Sequence, residues 1–230
     1  MSDIYTTAII VAAGDSTRMG GKISKQLIAL AGRPAIEYTL RAFQDCPMIN
    51  EIIVVARSQD INDIAHTAFT FKKVMAVTAG GKDRAESVRR GIHAASRQTT
   101  HYAIHDGARV LITSDEICRV LETAYETGAA TLGTPLTDTV KVVGDDGVIV
   151  STPDRSTMWA VQTPQVFESG LYRRAIDNAE ATGLSVTDDC AVVEAIGVPV
   201  RIVRGEYTNI KLTTPADVEI AQALLKRRLT

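Results

Sequence analysis

Ala8-Ile9-Ile10-Val11-Ala12, followed by Ala13-Gly14 and then Asp15-Ser16-Thr17-Arg18-Met19-Gly20-Gly21-Lys22-Ile23-Ser24-Lys25-Gln26, is the stretch that decides the fold. Its unbroken apolar run lacks the in–out alternation of a half-exposed strand. It predicts a strand buried on both faces, as in a parallel sheet. Small residues just past such a strand let backbone N–H groups approach a ligand closely. Arg18, Lys22 and Lys25 then follow in a glycine-rich loop, and mobile cations beside backbone donors suit a triphosphate. From the residues alone, an ordinary solvated loop remains the competing reading. The spacing is neither G-x-x-x-x-G-K-[ST] nor G-x-G-x-x-G. The missing dinucleotide fingerprint counts against a nicotinamide-dependent oxidoreductase.

The same rhythm continues outward. Ile52 to Ala56, Val74 to Val77 and Tyr102 to Ile104 read as further buried strands. Helical periodicity falls between and after them, over Pro34 to Phe43, Asp83 to Ser96 and Ser114 to Glu126. Asp83 with Glu86 three residues on reads as a capping box. Thr214-Pro215-Ala216-Asp217 reads as another helix start. Strand–helix alternation of this kind predicts an α/β fold with a doubly wound, mostly parallel sheet. One segment breaks the pattern. Thr139 to Val143, Gly144-Asp145-Asp146-Gly147 and Val148 to Ser151 read as a β-hairpin with an Asp-Gly turn. A lone hairpin is marginal in water, so an arm packing on a second subunit is expected. With no repeat or linker, residues 1–230 read as a single domain carrying an arm at about 136–156.

Composition limits the function. A net charge of −2 excludes a general nucleic-acid or membrane-surface binder, which needs a basic excess. Any anionic ligand must be held by a local cluster of cations. The three cysteines, Cys46, Cys118 and Cys190, are far apart in sequence and form no C-x-x-C, against a disulfide framework or zinc site. No run is long enough to span a bilayer and no signal peptide is read, so a cytoplasmic protein is expected. His101 and His105 share one side of a strand, but no third ligand accompanies them, and they read as structural. Asp106, at a strand end, is equally readable as a turn cap or as a ligand.

Ordered motifs narrow the reading. A-A-G-x-x-x-R-M-G with a following Lys25-Gln26 resembles the nucleotide-binding loop of sugar-nucleotide-type nucleotidyltransferases. Gly80-Gly81-Lys82-Asp83-Arg84-Ala85-Glu86-Ser87-Val88, His105-Asp106-Gly107-Ala108-Arg109, Thr163-Pro164-Gln165, Thr187-Asp188-Asp189 and Asn209-Ile210-Lys211 follow in order. Together they resemble the 2-C-methyl-D-erythritol 4-phosphate cytidylyltransferase family, from about Ile9 to Leu225. The resemblance implies a Rossmann-like nucleotidyltransferase, a CTP substrate, a divalent metal, usually Mg²⁺, and a homodimer joined through the arm. Its acceptor would be a polyol phosphate, with ribitol 5-phosphate as the alternative acceptor.

Carried over position by position, the resemblance assigns Arg18, Lys25 and Lys211 to catalysis. Ala12, Ala13, Gly14, Lys22, Gly81, Asp83, Ser87 and Asp106 would bind nucleotide, with Asp106 also holding the metal. Thr139, Arg155, Thr163, Thr187 and Arg109 would bind the acceptor, Thr139 and Arg155 serving the neighbouring subunit. Val110, Thr208 and Lys82 depart from the family's usual residues: a proline and two acids.

Overall fold

The computed structural model describes residues 4–14, 24–184 and 188–229. β1 (Thr6–Ala12) is almost wholly buried, as its apolar run requires. After it come a two-rung hairpin, β2 (Ala29–Leu30) and β3 (Arg33–Pro34), and helix α1 (Ala35–Asp45). Pro34 occupies the N-cap position of α1, where a residue without an N–H costs no helical bond. Next are β4 (Glu51–Ala56), α2 (Ile61–Ala68), β5 (Val74–Ala79), α3 (Arg84–Ala94) and β6 (His101–Asp106). α4 (Ser114–Thr127) leads into β7 (Ala129–Pro135). The arm contains β8 (Val142–Val143) and β9 (Ile149–Ser151), and the chain returns as the long strand β10 (Trp159–Glu168). α5 (Ser169–Thr182), α6 (Asp189–Glu194), β11 (Arg201–Arg204) and α7 (Pro215–Leu229) follow.

The seven-stranded sheet has the order β11-β7-β10-β6-β1-β4-β5. Its pairs are parallel except those of β10, which runs antiparallel to both β6 and β7. The expected doubly wound, mostly parallel sheet is therefore present. Strand alternation builds two cores. Ala8, Ile10 and Ala12 of β1 join Ile36, Leu40 and Phe43 of α1 and Ile117, Val120 and Leu121 of α4 on one face. Ile9 faces Val88 of α3 and Leu171, Tyr172 and Ala175 of α5 on the other. A third cluster, with Leu30, Leu111, Leu212 and Ala221, seats α7 against the β2–β3 hairpin.

The arm is shorter in ladder than the sequence predicts. β8 and β9 pair only with each other, through a turn in which Gly147 takes φ 79°. That left-handed value is where glycine carries no steric penalty. Val142, Val143, Val148, Ile149 and Val150 are 46–69% exposed, so this chain alone gives the arm no apolar cover. The capping box of α3 also differs in detail. Asp83 accepts from the Glu86 N–H, but Glu86 reaches past it to the Lys82 N–H. Sequence distance misleads at two cysteines: Cys46 and Cys118 lie with their sulfurs 3.2 Å apart.

α4 begins with a full capping box. Thr113 Oγ1 accepts from the Glu116 N–H, and Glu116 Oε2 accepts from the Thr113 N–H. The other Glu116 oxygen accepts from the Glu206 N–H, tying the helix start to the chain after β11. Thr113→Ala removes one side of the box and is expected to cost about 1 kcal/mol. Scanning calorimetry should show the midpoint falling by about 2–4 °C; an unchanged midpoint would contradict the cap's contribution.

Candidate active site

From β1 the chain steps to β4 and β5 on one side, then returns to lay β6 on the other. Where strand order reverses, the two outgoing loops diverge and leave a crevice at the strand ends. Val11 and Asp106 are register partners at that point. A cleft of about 310 Å³ opens there. Ala13, Gly14, Lys25 and Gln26 line it from the loop after β1, Gly81, Lys82, Asp83, Arg84 and Ser87 from the β5–α3 turn, Asp106 and Ala108 from the end of β6, and Lys211 from the chain before α7. Close approach of the first two segments depends on Gly80. A Cβ there would sit 2.3 Å from Ala13 Cβ and 2.9 Å from Ser87 Oγ. The Ser87 hydroxyl accepts from the Gly81 N–H and donates to the Asp83 carbonyl, bracing the turn.

Asp106 is the electrostatic centre. It is 8% exposed, and burial alone would push its carboxyl upward. Lys211, Arg84 and Arg109 together more than offset this and hold it well below the usual carboxylate range. Lys211 Nζ stands 2.7 Å from Oδ2, Arg84 Nε 3.6 Å from Oδ1 and Arg109 Nε 3.8 Å from Oδ2. Arg84 is itself anchored from behind: its Nη1 donates to Asp189 at 2.6 Å, and the buried Tyr172 hydroxyl donates to the other Asp189 oxygen. Burial works against the charge of Arg84, but Asp189 and Asp106 keep it more firmly protonated than usual.

Other assigned residues stand back from the cleft lining in this chain. The Ala12 side chain is fully buried in the core beneath the sheet and does not line the cleft. The Thr163 hydroxyl is also spoken for. It accepts from the Asp106 N–H and contacts His105 Nδ1, both at 3.0 Å. His105 Nε2 faces the Arg109 carbonyl, which can only accept. The neutral ring therefore carries its proton on Nε2, and Thr163 donates to Nδ1. Thr163 reaches this position through a register shift in β10 between Val161 and Gln165. Arg109 donates to the Asn209 carbonyl and backs Asp106 without lining the cleft. Thr139 and Arg155 belong to the arm, where Arg155 donates to the Thr137 carbonyl; neither lines the cleft of this chain. Arg18, Lys22 and Thr187 lie outside the described residues.

The sequence reading gave no role to Arg84 or Gln26. Arg84 sits inside a quoted motif, one residue past the helix cap, and that adjacency was its only signal. Gln26 is 1% exposed and its Oε1 has no partner among the described residues. Among the described residues, no group of three or more His, Cys, Asp or Glu is placed to hold a metal. Of the two carboxylates that line the cleft, Asp83 and Asp106, Asp83 caps α3; a divalent ion could take Asp106 and fill its shell with phosphate oxygens and water. That is the usual habit of Mg²⁺, and an ionised carboxylate lining the cleft fits it. A larger hollow of about 460 Å³ lies on the far side of Arg84, between α3, α5 and α6. It shares Lys82, Asp83 and Arg84 with the cleft, but neither Asp106 nor Lys211 lines it.

Acid should test this support. Burial pushes the His105 pKa down to about 3, against about 6.5 for a solvated imidazole. Between these values the unfolded chain binds a proton that the folded chain does not. This group therefore costs stability as pH falls from about 6.5, by about 1.4 kcal/mol per unit. Asp106 has the opposite cause and the same sign: its contribution is present above about pH 4 and is lost below it. His105→Asn is expected to flatten the profile of urea midpoint against pH between about 6.5 and 4. A variant as acid-sensitive as the parent would contradict the assignment.

Comparison with known proteins bears on this arrangement as a whole. The family model for 2-C-methyl-D-erythritol 4-phosphate cytidylyltransferase matches residues 6–227. A protein of that name from Desulforamulus reducens is 43% identical over 224 residues, covering 96% of each chain. Another from Symbiobacterium thermophilum is 43% identical, covering 97% of this chain and 94% of its own. A solved 4-diphosphocytidyl-2C-methyl-D-erythritol synthase from Anaerococcus prevotii superposes with a TM-score of 0.88 at 30% identity, covering 97% of both. Sequence and backbone agree over nearly the full length, and the chain belongs to the 2-C-methyl-D-erythritol 4-phosphate cytidylyltransferase family.

Proposed function

We propose that this protein transfers the cytidylyl group of CTP to the phosphate of 2-C-methyl-D-erythritol 4-phosphate, giving 4-diphosphocytidyl-2-C-methyl-D-erythritol in non-mevalonate isoprenoid biosynthesis. The observation that carries this reading is the convergence on Asp106 of Lys211 and Arg84 at the point where strand order reverses. An oxygen of the acceptor phosphate attacks the α-phosphorus. The bond from that phosphorus to the bridging oxygen of the β-phosphate breaks, and pyrophosphate leaves. The nucleophile is already anionic, so no general base is required. What the protein must supply is alignment and positive charge around the α-phosphate.

Lys25, with Arg18 and Lys22 from the same loop, would hold the triphosphate. Lys211 would bridge the α-phosphate and the acceptor. Ala13, Gly14, Gly81, Asp83 and Ser87 would receive base and ribose. Asp106 would hold Mg²⁺, which when bound neutralises phosphate charge. Arg109, Thr163 and His105 act on this set through Asp106, as positioning residues. The exposed valines of the arm support a homodimer in which Thr139 and Arg155 reach the neighbour's acceptor site. Thr187 would complete that site. Ribitol 5-phosphate is the weaker alternative, because the relatives compared carry the methylerythritol name. No helix of the described residues is long and apolar enough to cross a membrane, which is compatible with a cytoplasmic enzyme.

Pyrophosphate release from CTP and Mg²⁺ with each acceptor tests the proposal. Turnover should be faster with the methylerythritol phosphate; faster turnover of ribitol 5-phosphate would overturn the acceptor. Lys25→Ala and Lys211→Ala should each lower turnover by at least ~10²-fold, the loss typical of one preorganised charge-stabilising donor. Circular dichroism should report an intact fold in both. Near-parental turnover in a folded variant would remove that lysine from the mechanism.

A further inference from the structure

Two thiols that lie 72 residues apart in the chain meet between α1 and α4, on the face of the sheet opposite α3 and α5. Cys46 Sγ is 3.2 Å from Cys118 Sγ. Both backbones are fixed. Cys46 caps α1, and its carbonyl accepts from the Ile49 N–H and from Lys73 Nζ at 2.6 Å. Cys118 follows the capping box of α4 by one turn. The sulfurs need to approach by only about 1.1 Å to reach the ~2.05 Å of a disulfide bond. Their exposure differs: Cys46 is fully buried, whereas Cys118 is half-buried. Cys190 is buried in the other core, among Val192, Val193 and Tyr172.

We propose that Cys46 and Cys118 form an oxidisable dithiol, a modification site separate from the nucleotide cleft, whose oxidant is a hydroperoxide. Cys118, the more accessible thiol, reacts first. Its sulfur takes one oxygen of hydrogen peroxide to become a sulfenic acid, and one water is released. Cys46 Sγ then attacks the Cys118 sulfur, the S–O bond breaks, and the departing hydroxide takes the Cys46 proton as a second water. Two thiols and one peroxide thus give one disulfide and two waters. The bridge ties the end of α1 to α4 and closes a loop containing the Arg84 turn and Asp106. Such a loop loses unfolded-state freedom, which favours the native state. Burial pushes the Cys46 thiol up to about 12, with Cys118 beside it adding to the effect. A thiol held protonated is a poor first target for the oxidant, which leaves that role to Cys118, and the 3.2 Å approach places Cys46 to resolve the sulfenic acid.

Treat the folded full chain with hydrogen peroxide, then quench by alkylation in denaturant. The expected result is one alkylatable thiol in place of three, a mass about 2 Da lower before alkylation, and a peptide linking residues 46 and 118. Dithiothreitol should restore all three thiols. Cys190→Ser should give the same bridge, and Cys118→Ser should leave Cys46 alkylatable. The circular-dichroism spectrum should be retained and the melting midpoint raised. Sulfinic acid on Cys118 with Cys46 still free, a bridge that includes Cys190, or a bridge that forms only with loss of the native spectrum would each overturn the proposal.

Discussion

The Asp106 carboxylate, 8% exposed, cannot remain ionised without close cations, and the fold brings three of them from three separate segments. A lone buried carboxylate would protonate instead. Arg84 arrives with the first turn of α3, Arg109 from the turn after β6, and Lys211 from the chain that leads to α7. Each must therefore be docked correctly before the charge can be buried at low cost. The third hydrophobic cluster, which seats α7, and the packing of α3 on β1 and β4 serve this end as much as they serve stability.

Neutral groups hold the backbone of the same residue. Thr163 accepts from the Asp106 N–H and donates to His105 Nδ1, whose other nitrogen donates to the Arg109 carbonyl. This short chain joins β6, β10 and the Arg109 turn without adding charge. Its direction follows from a carbonyl that can only accept, which forces the tautomer of the ring. A protonated His105 would have to donate from both nitrogens and reverse the Thr163 hydroxyl, which burial disfavours.

How much of this was legible in the sequence varied with the range of the interaction. β1, β4 and β6 announced themselves through continuous apolar runs, α3 and α7 through local caps spanning three or four residues, and α4 through its helical periodicity. β10 did not. Its residues 159–168 mix Trp, Gln, Thr and Pro, and it is a strand because β6 and β7 flank it, a constraint that comes from distant segments. The site divides in the same way. Lys25, Asp83, Asp106 and Lys211 lie in motifs whose order could be read directly. The partners that Thr163 and Arg109 meet, the Asp106 N–H and the Asn209 carbonyl, could not, because they come from distant segments. The meeting of Cys46 with Cys118 is a consequence of α1 packing on α4 and has no local signal.

The register shift in β10 gives the arm and the end of β6 a common fate during sequence change. The arm's tip, Gly144 to Gly147, is an exposed turn outside the main sheet, where inserted residues leave every ladder in place. Its return strand is different: between Trp159 and Gln165 one added residue would exchange inward and outward faces and carry Thr163 away from the Asp106 N–H. Descendants of this chain are thus free to lengthen or recolour the arm at its far end. At its root they are held to a fixed count by a single hydroxyl.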